Sequence, residues 1–139
     1  RMLSDVLRPF SEQPKLDVVN LYADIQPGEF NSPNCVKVVM DLAGNALYMS
    51  RAAIPVSQDC VERPSGKQLG LIAFRREALQ RFTELAATPL EINESVDMLR
   101  FLEHGIKIRM QRTIYRTHAV DVPADIDEVE RLMQSATHD

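Results

Sequence analysis

The sequence predicts an α/β fold built on a mixed sheet, and three observations lead there. Strand-like and helix-like segments alternate along the 139 residues, the pattern of layered α/β domains. The stretch 36–50 reads as a hairpin, so part of the sheet is antiparallel. Thr88-Pro89-Leu90-Glu91 carries a cap, a proline at the first helical position and the T-x-x-E capping box, which fixes one helix start.

Taken in order, Met2 to Phe10 has apolar residues at 2, 3, 6, 7 and 10, the period of an amphipathic helix, and it is expected to end near Pro9. After a short coil, Leu16-Asp17-Val18-Val19-Asn20-Leu21-Tyr22 is a mostly apolar strand. Asp24 to Pro33, with two prolines and a glycine, is a loop. In the hairpin, Val36, Val38 and Val39 form the outgoing strand and Gly44-Asn45 the turn. Leu47, Tyr48 and Met49 return before Pro55 stops further pairing. Val56 to Lys67 is polar and reads as a mobile connection. Gln68 to Phe74 is a near-continuous apolar run, as expected of a strand covered on both faces. Arg75 to Leu85 is a helix with Leu79, Phe82 and Leu85 on one side. Pro89 to His104 reads as a single helix ended by Gly105. Ile92, Val96, Leu99 and Leu102 face the protein on it, and Glu91, Glu94 and Asp97 point to solvent. Ile106, Ile108 and Met110 alternate with polar residues as a half-buried strand, and a last helix is expected from about Pro123 to Gln134.

Composition narrows the function classes. With 45% hydrophobic residues the chain builds a core. A net charge of -4 and a pI near 5.4 argue against a nucleic-acid binder, which presents a basic face to phosphates. No apolar run approaches the roughly 20 residues of a membrane span, so no membrane partner and a cytoplasmic location are expected. Cys35 and Cys60 fit no C-x-x-C or zinc pattern and read as reduced thiols. The start at Arg1, with no initiator Met, is what a fragment would show.

Neither a G-x-G-x-x-G nor a Walker-type loop is present, and no G-x-S-x-G elbow accompanies His104, His118 or His138. Two candidates for chemistry remain. Asp121 stands where a strand-like segment meets a helix, and it suits either a helix cap or a hard cation. Arg51 follows a strand end, where its fork suits a carboxylate or phosphate if it is more than a surface cation.

The stretch N-S-P-N-C-V-K-V-V-M-D-x-x-G-N-A-L-Y-M-S-R-A-x-I-P closely resembles N-P-N-x-V-K-V-V-x-D-x-x-G-x-A-L-Y-F-S-R-x-x-I-P of the 3-deoxy-manno-octulosonate cytidylyltransferases, or CMP-KDO synthetases. The likeness continues through Leu69-Gly70-Leu71 to Arg75, Thr88-Pro89-Leu90-Glu91 to Leu99-Arg100, and Val120-Asp121-Val122-Pro123 to Val129. The resemblance implies part of a Rossmann-like nucleotide-sugar transferase fold, with the hairpin forming a homodimer. Residues 1–139 then correspond to the C-terminal half, holding the sugar-binding and dimer-forming parts. The nucleotide-binding half has no counterpart, so the isolated fragment is expected to be inactive.

The implied reaction is attack of the anomeric hydroxyl of a 3-deoxy-2-keto acid sugar on the α-phosphate of CTP. It gives a CMP-sugar and pyrophosphate, with Mg²⁺ as cofactor and lipopolysaccharide biosynthesis as setting. By this resemblance Asp121 is the catalytic metal ligand and Arg51 faces the acid sugar. Gln68, Ile72, Asp97 and Met98 stand at sugar-pocket positions, where the family has His, Tyr, Glu and Gln. The family's G-T-G-V-D is Thr117-His118-Ala119-Val120-Asp121. Replacing hydroxyl-binding groups by apolar ones weakens discrimination, so the expected acceptor is a related, less hydroxylated or differently substituted acid. Two other readings are a non-catalytic dimerisation or regulatory module on the same scaffold and the sister acylneuraminate-type cytidylyltransferases. The latter match the hairpin less well.

Overall fold

The computed structural model describes residues 1–56, 65–115, 126–127, 129–131 and 133. Its elements run α1 (Met2–Glu12), β1 (Val18–Ala23), β2 (Lys37–Met40), β3 (Ala46–Ser50), β4 (Ser65–Phe74), α2 (Arg76–Glu84), α3 (Pro89–Glu94), α4 (Leu99–Glu103) and β5 (Arg109–Arg112). The five strands form one sheet in the order β3-β2-β4-β1-β5. Only β1 and β5 are parallel; the other neighbours are antiparallel. The mixed α/β class read from the sequence is the one found.

The apolar strands are covered on both faces. Val19, Leu21 and Leu69 pack under α1 with Val6. On the other face Val18, Val38, Met49, Leu99, Phe101, Ile108 and Met110 form the larger core. Phe74, Phe82 and Phe101 bring β4, α2 and α4 together, with ring centroids 5.1 to 6.3 Å apart. This two-sided burial explains why β1 and β4 read as near-continuous apolar runs.

The hairpin turns where the sequence places it. Gly44 has φ +80, which a glycine adopts without steric cost. The Asp41 carboxylate accepts from the Asn45 amide at 2.7 Å and from its side chain at 3.0 Å. The tip then crosses to the far edge of the sheet. Ala46 N–H donates to the Ile108 carbonyl and Met110 N–H to the Gly44 carbonyl, each at 2.9 Å. The two outer strands therefore meet at the tip, which gives part of β5 a backbone partner on its outer side.

Three expectations change. The first helix runs through Pro9 to Glu12, because Pro9 is buried and Phe10 packs on the core, offsetting one missing N–H. Ser65 to Lys67, read as part of a connection, begins β4 and pairs with β2. The helix expected over 89–104 is two helices, broken at Ser95 in the left-handed conformation, φ 51. That break rotates the faces. Ile92 is 66% exposed and Glu91 only 7%. Glu91 is buried because Arg100 meets it in a two-pronged ion pair, Nε to Oε2 at 2.8 Å and Nη2 to Oε1 at 2.5 Å. The pair staples α3 to α4 across the break.

Ile126, Asp127, Val129, Glu130, Arg131 and Met133 of the expected last helix are helical. Among the described residues no helix is long and apolar enough to cross a membrane.

Candidate functional site

Arg51 leaves the end of β3, where the left-handed Ser95 turn brings the last carbonyls of α3 against it. Its Nε donates to the Glu94 carbonyl at 2.8 Å, Nη2 to the Ser95 carbonyl at 3.2 Å and Nη1 to the Pro33 carbonyl at 3.0 Å. These acceptors are carbonyls, so the fork is oriented with no carboxylate bonded to it directly. A guanidinium carries about five N–H donors, and two remain for an anion.

The Glu94 carboxylate sits at the centre of this corner. Oε1 accepts from Tyr48 Oη at 3.0 Å and Ser50 Oγ at 2.7 Å, and Oε2 from the Arg51 amide at 2.9 Å. Desolvation works to raise its pKa. The hydrogen bonds from Arg51, Ser50 and Tyr48, with the Arg51 charge, outweigh that and hold it below the usual glutamate value. Burial, and then Glu94, push the Tyr48 hydroxyl up.

Lys37 closes the corner from inside β2. It is fully buried, and its ammonium donates to the Ser32, Cys35 and Arg51 carbonyls at 2.8, 2.6 and 2.6 Å. All three of its donors are thereby used. Burial lowers its pKa below the ordinary lysine value. Cys35 alongside is buried, and the same desolvation raises its thiol; Cys60 lies outside the described residues.

Gln68 lies across β2 from Arg51, since its N–H donates to the Val36 carbonyl at 2.9 Å. Its side-chain amide donates to Asn20 Oδ1 at 2.9 Å. Asn20, fully buried in β1, fills an irregularity in the β1–β4 pairing. Its Nδ2 donates to the Leu69 and Leu71 carbonyls at 2.7 and 3.2 Å, which serves carbonyls the irregular register leaves over. Ile72 pairs with Asn20 and packs against the larger core.

Asp97 and Met98 occupy the turn between α3 and α4. Asp97 is exposed, while Met98 is 3% exposed and belongs to the larger core. The structure thus brings Arg51, Gln68 and the α3–α4 turn to one corner, with Ile72 further along β4 and Met98 turned inward. Asp121 and His118 lie outside the described residues. A separate hollow of about 730 Å³, lined by Asp24, Gln26, Phe30 and Arg112 among others, contains none of the predicted site residues.

Glu94, Lys37 and Asn20 were not singled out from the sequence. A polar residue inside an apolar strand, as at Asn20 and Lys37, is the signal that marks them. An unbroken helical period puts Glu94 on a solvated face. Ser95-Val96-Asp97, three poor helix formers in succession, marks the break.

Comparison with known proteins agrees with this architecture. Residues 1–108 match the family described as Cytidylyltransferase, and the chain belongs to that cytidylyltransferase family. Within it, the chain is similar to the 3-deoxy-manno-octulosonate cytidylyltransferase of Oleidesulfovibrio alaskensis. The two are 45% identical over 135 residues, 96% of this chain and 54% of the relative. The protein of that name from Nitratidesulfovibrio vulgaris is 44% identical over 138 residues, again 96% and 54%. A solved structure of CMP:2-keto-3-deoxy-manno-octonic acid synthetase complexed with CTP superposes with a TM-score of 0.90 at 32% identity. It covers 98% of this chain and 56% of that one. The chain spans about half the length of the curated relatives it matches.

Proposed function

We propose that the chain is the C-terminal, sugar-binding and dimer-forming part of a CMP-sugar synthetase. The whole protein transfers CMP from CTP to the anomeric hydroxyl of a 3-deoxy-2-keto acid sugar and releases pyrophosphate. The observation that carries this reading is Arg51: a guanidinium held by three neutral carbonyls, with two N–H groups left, suits an acid's carboxylate. Asp97, exposed in the α3–α4 turn, is the proposed partner of the sugar hydroxyls, and Gln68, held by Asn20, offers its amide from across β2. Ile72 and Met98 pack into the larger core, so neither position offers a polar group to a sugar hydroxyl, in keeping with an acceptor other than the ordinary octulosonate.

CTP brings a strongly negative triphosphate, for which a divalent cation offsets phosphate charge when bound. We assign Mg²⁺ to Asp121. Among the described residues no group of three or more His, Cys, Asp or Glu could hold a metal. A Mg²⁺ ion is satisfied by one or two carboxylates with phosphate oxygens and water, so Asp121 with the triphosphate would suffice to hold it. The hairpin is the proposed homodimer contact, supported by the exposure of Leu42 and of Leu47, 62% exposed. We propose a cytoplasmic site of action, where CTP is available.

Pyrophosphate release by the whole protein from CTP and a panel of keto-acid sugars tests the reading. Turnover that needs an acid sugar and is lost in Asp121→Asn is the expected result. Wild-type turnover by that variant overturns the metal assignment, and no turnover with any acid sugar favours a non-catalytic module. Sedimentation of the protein is expected to give a dimer that Leu47→Glu weakens.

A further inference from the structure

We propose that Glu94 is a positioning residue for this site, acting through Arg51 and not on the substrate itself. The inference rests on the reading of Arg51 as the group that receives the acid's carboxylate. Arg51 is held on both sides of its own backbone. Its N–H donates to Glu94 Oε2 at 2.9 Å, and its carbonyl accepts from Lys37 Nζ at 2.6 Å.

The side chain is fixed from the same residue. Nε reaches the Glu94 carbonyl and Nη2 the Ser95 carbonyl, which lie in succession because Ser95 turns left-handed at φ 51. Glu94 thus holds the main chain with its carboxylate and the guanidinium with its carbonyl. Its second oxygen is occupied by Tyr48 and Ser50 of β3, and Ser50 Oγ in turn accepts from the Ala52 N–H at 2.9 Å. Residues 50, 51 and 52 are therefore all tied to one carboxylate.

Long cationic side chains normally lose rotamer freedom when they bind a ligand. Here that loss is incurred on folding, so a carboxylate meets a fork already aimed. The two N–H groups not used by carbonyls match the bidentate demand of a carboxylate. A rival role exists, since an arginine at the end of a helix also satisfies the last carbonyls as a cap. The two roles differ in what Glu94 controls. A cap affects only stability, whereas a positioning contact affects the acid-sugar KM in particular.

Four variants of the whole protein, Glu94→Ala, Glu94→Asp, Glu94→Gln and Arg51→Ala, separate them by KM for CTP, KM for the acid sugar, melting temperature and the arginine Nε–H NMR signal of Arg51. Losing one charge-assisted contact is worth about tenfold or more in affinity. Glu94→Ala keeps the carbonyl that meets Nε but frees the Arg51 main chain, and it is expected to raise the acid-sugar KM by up to about tenfold with the CTP KM unchanged, and to broaden the Arg51 signal. Glu94→Asp, one methylene short of both β3 and the Arg51 amide, should resemble it. Glu94→Gln keeps an acceptor for the Arg51 N–H, and its amide can donate to the two hydroxyls; it should recover most of the loss. A raised acid-sugar KM in Arg51→Ala beside a wild-type KM in Glu94→Ala overturns the positioning role alone. An unchanged acid-sugar KM in Arg51→Ala overturns the carboxylate reading and the inference with it. Equal rises in both KM values, together with a lower melting temperature, reduce Glu94 to a structural residue.

Discussion

Replacing Arg100 by Met is expected to destabilise the protein by about 3 kcal/mol, the low end of the range for removing one partner of a buried ion pair. The magnitude follows from what Arg100 holds. It meets Glu91 with two prongs and donates Nη1 to the Phe82 and Leu85 carbonyls at 3.2 and 3.1 Å. Its guanidinium also lies 4.3 Å from the Phe82 ring centroid. The side chains are 17% and 9% exposed, so solvent screens the pair little and cannot easily rescue an abandoned Glu91. Methionine refills much of the volume, which keeps the cavity cost small and isolates the lost polar contacts. Thermal unfolding followed by circular dichroism should show a midpoint lower by roughly 10 °C. The pH dependence checks the cause. The Arg100 hydrogen bond, with lesser help from the Thr88 amide, holds the Glu91 pKa below its ordinary 4.5. A depressed carboxylate contributes its stability fully above the unfolded pKa and loses it as pH falls through the folded one. The gap between wild type and Arg100→Met should therefore be widest at neutral pH and narrow below about pH 4. A loss under about 1 kcal/mol, the worth of an exposed pair, or a gap independent of pH, refutes the staple.

Two further perturbations probe the sheet. Lys37→Met keeps the apolar stem but strips donors from the Ser32, Cys35 and Arg51 carbonyls; a cost of about 2–3 kcal/mol in urea unfolding is expected. Gly66→Ala sets a Cβ into the edge of the Tyr22 ring at Cδ2, so the ring must move, at about 1–3 kcal/mol; Tyr22→Ala in the same chain should recover part of it.

Much of the fold was legible because its strands and turns announce themselves locally. The Val36–Val39 run, the Gly44-Asn45 turn and the capped start at Thr88 are short-range signals, and each lies where the sequence puts it. What was hidden depends on partners far along the chain. Nothing near Glu91 in sequence reveals that Arg100 will neutralise it, and without that partner a glutamate belongs in solvent. Glu94 faces inward only because Ser95 breaks the helix, and its hydroxyl donors sit on β3, more than forty residues away. Pro9 misled for the converse reason, since burial against the sheet outweighed one absent hydrogen bond. At the site, Arg51 was found by its place after a strand, whereas Lys37 and Asn20 pass as interruptions of apolar runs. Their value appears only when the carbonyls they serve are brought round by the hairpin and by the irregular β1–β4 register.

The central claim is that Arg51 receives the carboxylate of an acid sugar during CMP transfer. The most direct measurement is pyrophosphate release from CTP by the whole protein carrying Arg51→Ala, against the acid sugar and against its carboxamide analogue. Arg51→Ala is expected to raise the KM for the acid about tenfold or more, to leave the KM for CTP unchanged, and to show little further penalty when the carboxylate itself is replaced by the amide. Equal discrimination between acid and amide by wild type and Arg51→Ala would contradict it.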